Sequence, residues 1–304
     1  MLRYVVLKGV TALVVLLGVS FLTFALTQLL PGDPAAAIAG PKASPETLQQ
    51  IRKELGLDQP ILLQYARYVS RVARGDLGRS YITREPVVSA LLDRLPATAF
   101  LAVTAWTLGA ALGVGLGCLP SLWPQSSRLV FTLSFLGLAM PTFWLGLILL
   151  YLFAYRLPVF PLGGFSSSGV VLPACALGLG LAASYARIVM TRLSEVMGED
   201  FIRTAKAKGL PRSRIVVRHA LRHALLTVFT LLGLDLAGLL GGVTLTETVF
   251  NWPGLGRLAV EAVFNQDLPM LMGTVLFAAV VVVVVNFCVD ASYAWVDPRV
   301  RADS

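Results

Sequence analysis

Residues 97–119 read ATAFLAVTAWTLGAALGVGLGCL, a run without one charged residue. A helix needs about 20 predominantly apolar residues to cross the hydrocarbon core of a bilayer, because each residue advances it by only about 1.5 Å. This run is long enough. Inside it Gly109, Gly113 and Gly117 recur at i, i+4 and i+8. On a helix that spacing makes one stripe of small residues, which lets a second helix come close. The run also contains GxGxG at 113–117, but no strand precedes it as a phosphate-binding loop would require. Packing inside a membrane is the reading.

Working outward, five more apolar runs lie near 9–30, 129–155, 170–190, 225–246 and 269–291. A lipid-facing backbone must satisfy its own hydrogen bonds, so each is expected to be helical. Composition agrees: 56% of the 304 residues are hydrophobic and 14% are charged, where a soluble domain carries about 25% charged residues. Mean hydropathy is +0.76. The expected fold class is an all-α polytopic membrane protein with six transmembrane helices. Cys118, Cys175 and Cys288 each sit inside an apolar run, with neither a disulfide framework nor a metal-ligand spacing. The first run follows Arg3 and Lys8 and precedes the small-residue stretch AAAIAG at 35–40, features shared with secretory signals. It exceeds the roughly 7–15 apolar residues of a signal peptide, and five runs follow it, so a retained anchor helix is expected.

Orientation follows from Lys and Arg, which accumulate in cytoplasmic loops. With the N-terminus inside, one side collects Arg3, Lys8, Arg128, the block from Arg187 to Arg222, Arg299 and Arg301, while the short loops opposite hold only Arg156 and Arg257. The expectation is N-in and C-in. Three regions result: the N-terminus and first transmembrane helix at 1–30, an external helical insertion between helices 1 and 2 at 31–96, and five helices over 97–304. A cytoplasmic loop at about 191–224 joins helices 4 and 5. In the insertion, Ser44-Pro45-Glu46 combines an N-cap, a first-turn proline and an acid at the positive end of the helix dipole, and Gly56 closes that helix. Pro60 opens a second helix that Gly75 ends, and a third short one is expected around 86–94. Shielding of helix ends and a docking face are both open roles for this cap.

The loop holds the stretch FIRTAKAKGLPRSRIVVRHALRHALL (201–226), whose seven Lys and Arg residues meet no acid. Glu195, Glu199 and Asp200 precede the basic residues, an order that suits a helix dipole. Gly209, Leu210 and Pro211 form a stop signal, after which a second helix runs into the next span. Arg214, Arg218 and Arg222 then make a ridge at i, i+4 and i+8, where like charges repel by a few tenths of a kcal/mol per pair. Anionic lipid would offset part of that charge, but does not account for two helices broken at a glycine. Nucleic acid would want interleaved aromatic platforms. A metal held by His219 and His223 would lack further ligands. Docking to a cytoplasmic protein is the remaining reading.

The stretch DFIRTAKAKGLPRSRIVVRHALRHALL resembles the coupling loop of ABC importer permeases, specifically the B-type subunit of the dipeptide/oligopeptide family. The resemblance spans nearly the whole chain: LLPGDPAA (29–36), GDLGRSY (75–81), RLPAT (94–98), MPTFWLGLILLYLF (140–153), LPACALGLGLAASYARIVMTRLSEVM (172–197), ETVFNWPGLGRL (247–258) and DPRVR (297–301). Of the general permease loop pattern, Ala205, Gly209 and Leu221 match, while Arg203, Thr204, His219 and Arg222 depart as they do in the peptide branch. Thr227 stands where that branch often has proline.

The resemblance implies a coupling helix, carried by Asp200, Arg203, Thr204, Ala205, Lys206, Ala207, Lys208, Gly209 and Leu210, seated in a cleft of an ATP-hydrolysing subunit. Small Ala205 and Gly209 are expected to allow close approach to that subunit. It implies as partners a companion C-type permease, two ATPase subunits, an external substrate-binding protein and the bilayer of a prokaryotic cell membrane, with no nucleic acid. The chain has no GxxxxGK[ST] loop and is expected to be non-catalytic and without a cofactor, ATP and Mg being bound by the ATPase subunits. Peptide is the cargo implied; glutathione, a nickel complex or a sugar are alternatives for the same machinery. Asp235, Glu247 and Trp252 are candidates for the translocation path. An ionisable residue mid-span, such as Asp235, is either functional or a helix-paired stabiliser, and Trp252 is either an interfacial anchor, the preferred reading, or part of an external gate. A secondary transporter would show internal repeats, and a membrane enzyme would need catalytic groups within the spans.

Overall fold

The computed structural model describes residues 2–29, 34–39 and 43–296. Residues 30–33 of the LLPGDPAA motif and the terminal DPRVR, with Arg299 and Arg301, lie outside them. Among the described residues the regular structure is all helical, apart from an isolated bridge between Arg79 and Pro86. The helices are α1 (Leu2–Leu29), α2 (Pro34–Ala39), α3 (Pro45–Leu55), α4 (Ile61–Val72), α5 (Val87–Leu122), α6 (Ser127–Ala139) and α7 (Thr142–Leu149). They continue with α8 (Val171–Val196), α9 (Asp200–Ala207), α10 (Arg212–Arg214), α11 (Leu221–Leu240), α12 (Thr244–Val249), α13 (Leu255–Phe264) and α14 (Leu268–Val296). Four stretches are long and apolar enough to cross a membrane unaided: Leu7–Gln28, Val87–Leu122, Val171–Val196 and Leu268–Val289. Two bent pairs raise the number to six if each pair is one span.

The single helix expected over 129–155 is therefore corrected to a bent pair, which a count of six takes as one span. A bend of 98° separates Pro124–Ala139 from Thr142–Arg156. Pro141 is the cause, since proline cannot extend a helix through its missing N–H and pushes its predecessor out of the α region; Met140 sits at φ −83°, ψ 123°. The separate short helix expected at 86–94 is also corrected, because α5 runs unbroken from Val87 through Pro96. Leu92, whose carbonyl Pro96 cannot serve, and Pro96 itself are both exposed.

The chain divides into two compact units, residues 1–98, 240–244 and 253–304 in one and residues 99–239 and 245–252 in the other. In the first, α1 packs on α14 and α4. Phe24, Tyr68, Met272 and Leu276 form one apolar cluster, and Val87, Leu91, Leu255 and Met270 belong to another. The insertion folds as its punctuation directs. The Ser44 hydroxyl accepts from the Thr47 N–H at 3.3 Å, and Gly56 closes α3 at φ +67°. Tyr65 ties α4 to α1 through Ser20 at 2.8 Å.

In the second unit the glycine stripe meets α8 residue for residue. A Cβ placed on Gly109, Gly113 or Gly117 would stand 2.7, 2.6 or 2.6 Å from the Cβ of Leu181, Tyr185 or Val189. Two i, i+4, i+8 rows thus interlock, and Gly137 of α6 approaches Ala183 on α8 in the same manner. The Trp106 indole donates to the Leu232 carbonyl at 2.8 Å, joining α5 to α11.

Candidate functional site

After α8 ends at Val196, Asp200 opens the short helix α9 with Glu199 as its N-cap. The helix presents two faces because Ile202 and Ala205, three residues apart, share one side. Ile202 is fully buried and Ala205 nearly so, in a cluster with Tyr185, Val189, Leu193, Ile215 and Val216. Burying Ile202 contributes about 1.5–3 kcal/mol toward seating the helix. The opposite face carries Asp200, Phe201, Arg203, Thr204, Lys206, Ala207 and Lys208, all exposed. Phe201 leans on the His223 ring, with centroids 4.9 Å apart. The Asp200–Arg203 pair at 3.2 Å is fully solvated and contributes little. The Thr204 hydroxyl is occupied by the Asp200 carbonyl at 3.1 Å.

Two expectations for this loop change. Ala205 is small because the chain's own core closes over it, so the small residue facing outward is Ala207. Gly209 is required for its backbone: φ is +72°, and a Cβ there would meet nothing within 4 Å, so conformation selects glycine at this position. Leu210 is half-buried against the cluster that holds Ile202. Beyond Pro211, α10 widens into a π-helical turn over Ile215–Ala220. Its i→i+5 bonds alter the α spacing of the Arg214, Arg218, Arg222 ridge, although all three side chains remain exposed.

Of the three path candidates, Asp235 is half-buried on α11 and accepts a 2.7 Å hydrogen bond from the fully buried Tyr185 hydroxyl. Glu247 on α12 is 0% exposed. Trp252 is likewise enclosed, with Phe100 stacked at 6.3 Å and Phe165 edge-on at 5.4 Å. Their enclosure is by this chain alone, and added subunits could only cover them further. The anchor reading of Trp252 is accordingly corrected, since an interfacial ring needs a free edge among the headgroups. The structure does not gather the three candidates around one open surface.

Sequence reasoning missed Phe201, Arg212 and Asp267. Arg212 reaches from the loop to the end of α5, where its Nε donates to the Ser121 carbonyl at 2.6 Å, a cation at the negative end of a helix. Asp267 is a buried carboxylate that accepts from the Ser80 hydroxyl, from the Tyr81 N–H at 3.1 Å and from the Met270 N–H at 3.4 Å. It caps α14 and fastens the GDLGRSY loop. The signal was available as Asp267-Leu268-Pro269, an N-cap followed by an early proline.

With an amphipathic helix exposed between two apolar segments, similarity to known proteins becomes informative. A family described as "Binding-protein-dependent transport system inner membrane component" matches residues 100–302, and its N-terminal counterpart matches residues 1–102. The chain belongs to this family. It is the permease subunit of an ABC importer, a multi-pass component of the bacterial inner membrane. A glutathione transport system permease of Escherichia coli O6:H1 is 37% identical over 304 residues, covering 99% of each chain. A protein of Brucella melitensis biotype 1 named as a peptide transport system permease is 40% identical over 315 residues and covers both chains entirely. Among solved structures, an inward-facing MetNI methionine ABC transporter chain superposes with a TM-score of 0.58 at 18% identity. It covers 70% of this permease and 99% of that chain, a likeness of fold.

Proposed function

We propose that this permease forms half of a translocation path for peptides, and that α9 is the element through which ATP hydrolysis elsewhere moves it. The observation that carries this reading is the two-faced packing of α9: Ile202 and Ala205 root it in the chain's core while Phe201, Thr204, Ala207 and Lys208 stand uncovered. A helix rooted in this way can transmit a push without folding away. The basic block around it supports a cytoplasmic placement, hence N-in and C-in with six spans, each bent pair counting as one.

The partners proposed are a C-type companion permease, two ATPase subunits that bind ATP and Mg, and an external binding protein that delivers cargo. The insertion at 31–96 is proposed as an external cap. The relatives named for glutathione and for peptides support a short peptide as cargo, with the choice made by the binding protein. Within the proposed path, the partial exposure of Asp235 supports it over Glu247 and Trp252 as a contact for cargo.

The test is Ala207→Glu in the assembled importer, reconstituted in proteoliposomes. A carboxylate forced unpaired into an interface costs several kcal/mol, so substrate-stimulated ATP hydrolysis should fall at least tenfold while the permease keeps its thermal midpoint. Undiminished stimulation would remove α9 from the coupling role.

A further inference from the structure

Where α5 turns into α6, the protein leaves a cleft of about 320 Å³. Ser121, Pro124, Ser127, Met190, Ser194 and Arg212 line it. It lies at the ends of α5 and α8 and the start of α6, the level at which apolar segments give way to water. Trp123, 55% exposed, and exposed Arg128 stand in the same turn, a pairing typical of the headgroup layer.

Two side chains give the cleft its chemical character. Arg212 spends only its Nε on the Ser121 carbonyl, and its remaining guanidinium N–H groups make no hydrogen bond among the described residues. Ser121 is 9% exposed, lines the cleft, and its hydroxyl bonds to nothing among the described residues. Facing the cleft, that hydroxyl is open to solvent and to any ligand that enters. The start of α6 has no side-chain cap and no acid in its first turn, although the turn over Pro124–Ser126 already takes the Ser126 and Ser127 N–H groups. Guanidinium and hydroxyl together suit an anion with several acceptor oxygens, and the dipole of α6 favours its charge. Met190 and Pro124 supply apolar wall beside them.

We propose that this cleft binds a phosphate ester, supplied by the headgroup of an anionic phospholipid. The bilayer border is where such headgroups are concentrated, and basic pockets between membrane helices are suited to them. Bound there, the phosphate would bridge Arg212 to the α5–α6 turn and so brace the segment that follows α9. The site rests on this chain's own residues and stands whichever way the permease is oriented.

The experiment is lipid retention by the assembled importer, purified from nanodiscs of mixed phosphatidylglycerol and phosphatidylcholine and read by native mass spectrometry. The wild type should retain phosphatidylglycerol over phosphatidylcholine. Arg212→Gln should lower that retention roughly tenfold, the value of one charge-assisted bidentate contact, and Arg212→Lys should restore part of it. Ser194→Phe fills the cleft from an exposed position without touching the Arg212–Ser121 bond, and should lower retention equally at an unchanged thermal midpoint. In a second arm, soluble glycerol phosphate is titrated against the detergent-purified importer. Saturable binding lost in the same variants supports the phosphate-ester site and assigns its occupant to the cytosol instead. With no saturable glycerol phosphate binding, equal retention of the two lipids, or equal phosphatidylglycerol retention in wild type and Ser194→Phe, overturns the proposal.

Discussion

Replacing Gly113 by alanine adds one methyl group where the structure has no room for it. The new Cβ would lie 2.6 Å from Tyr185 Cβ, 2.9 Å from the Ala182 carbonyl oxygen and 3.2 Å from Ala182 Cα. None of these atoms sits at the end of a flexible side chain, so α5 and α8 must part. Ordinary contact begins at 3.4 Å, which sets the separation at about 0.8 Å. A gap of that size forfeits a quarter to a half of each dispersion contact along the seam, and overpacking in general costs about 1–3 kcal/mol. Against this, alanine is favoured over glycine within a helix by about 1 kcal/mol. The net expectation is a loss of up to about 2 kcal/mol. Gly115→Ala is the control: it makes the same chemical change two residues away on the same helix, with nothing within 4 Å of the new Cβ. It should be neutral or stabilising by up to about 1 kcal/mol. Thermal midpoints of the purified importer compare the two directly. A Gly113→Ala variant as stable as Gly115→Ala would refute the interlocked seam.

Asp235→Asn should impair transport of a peptide with a free amino terminus at least tenfold more than transport of its N-acetylated form in reconstituted vesicles; equal losses would assign the carboxylate wholly to its bond with Tyr185. Burial, with a smaller contribution from the neighbouring Tyr65, pushes the Tyr68 phenol up to about 12, against an unfolded value of about 10. Because the folded state favours the neutral phenol, its contribution to stability is complete below about pH 10 and is lost as pH rises through 12. Tyr68→Phe should therefore flatten the alkaline limb of a stability–pH profile. A limb unchanged in that variant would place the alkaline sensitivity elsewhere.

How much of this was legible in the sequence depended on whether a residue's neighbours were near it in the chain. The stripe at Gly109, Gly113 and Gly117 declared itself because helical spacing alone brings those residues to one face. Gly56 and Gly209 were legible as helix stops for the same local reason. Ala205 was misjudged because small size signals close approach without saying to what, and only the tertiary core assigns it inward and Ala207 outward. Pro96 and Pro141 show the limit of punctuation. Pro96 rides inside α5, where its orphaned carbonyl costs little at an exposed position, whereas Pro141, preceded by the extended Met140, turns the chain through 98°. Trp252 was misplaced because an aromatic near a span end reads as interfacial until Phe100 and Phe165 are found against it. Asp267 was missed because its partners Ser80 and Tyr81 lie almost two hundred residues away.

One apolar cluster has a mechanical consequence. Ile202 and Ala205 of α9 share it with Tyr185, whose hydroxyl holds Asp235. Protein interiors are nearly incompressible at such packing densities, so a force applied to α9 has no soft material in which to dissipate. Either the cluster shears or it travels as a block, and in the second case the surface helix and the mid-span carboxylate keep the same stroke.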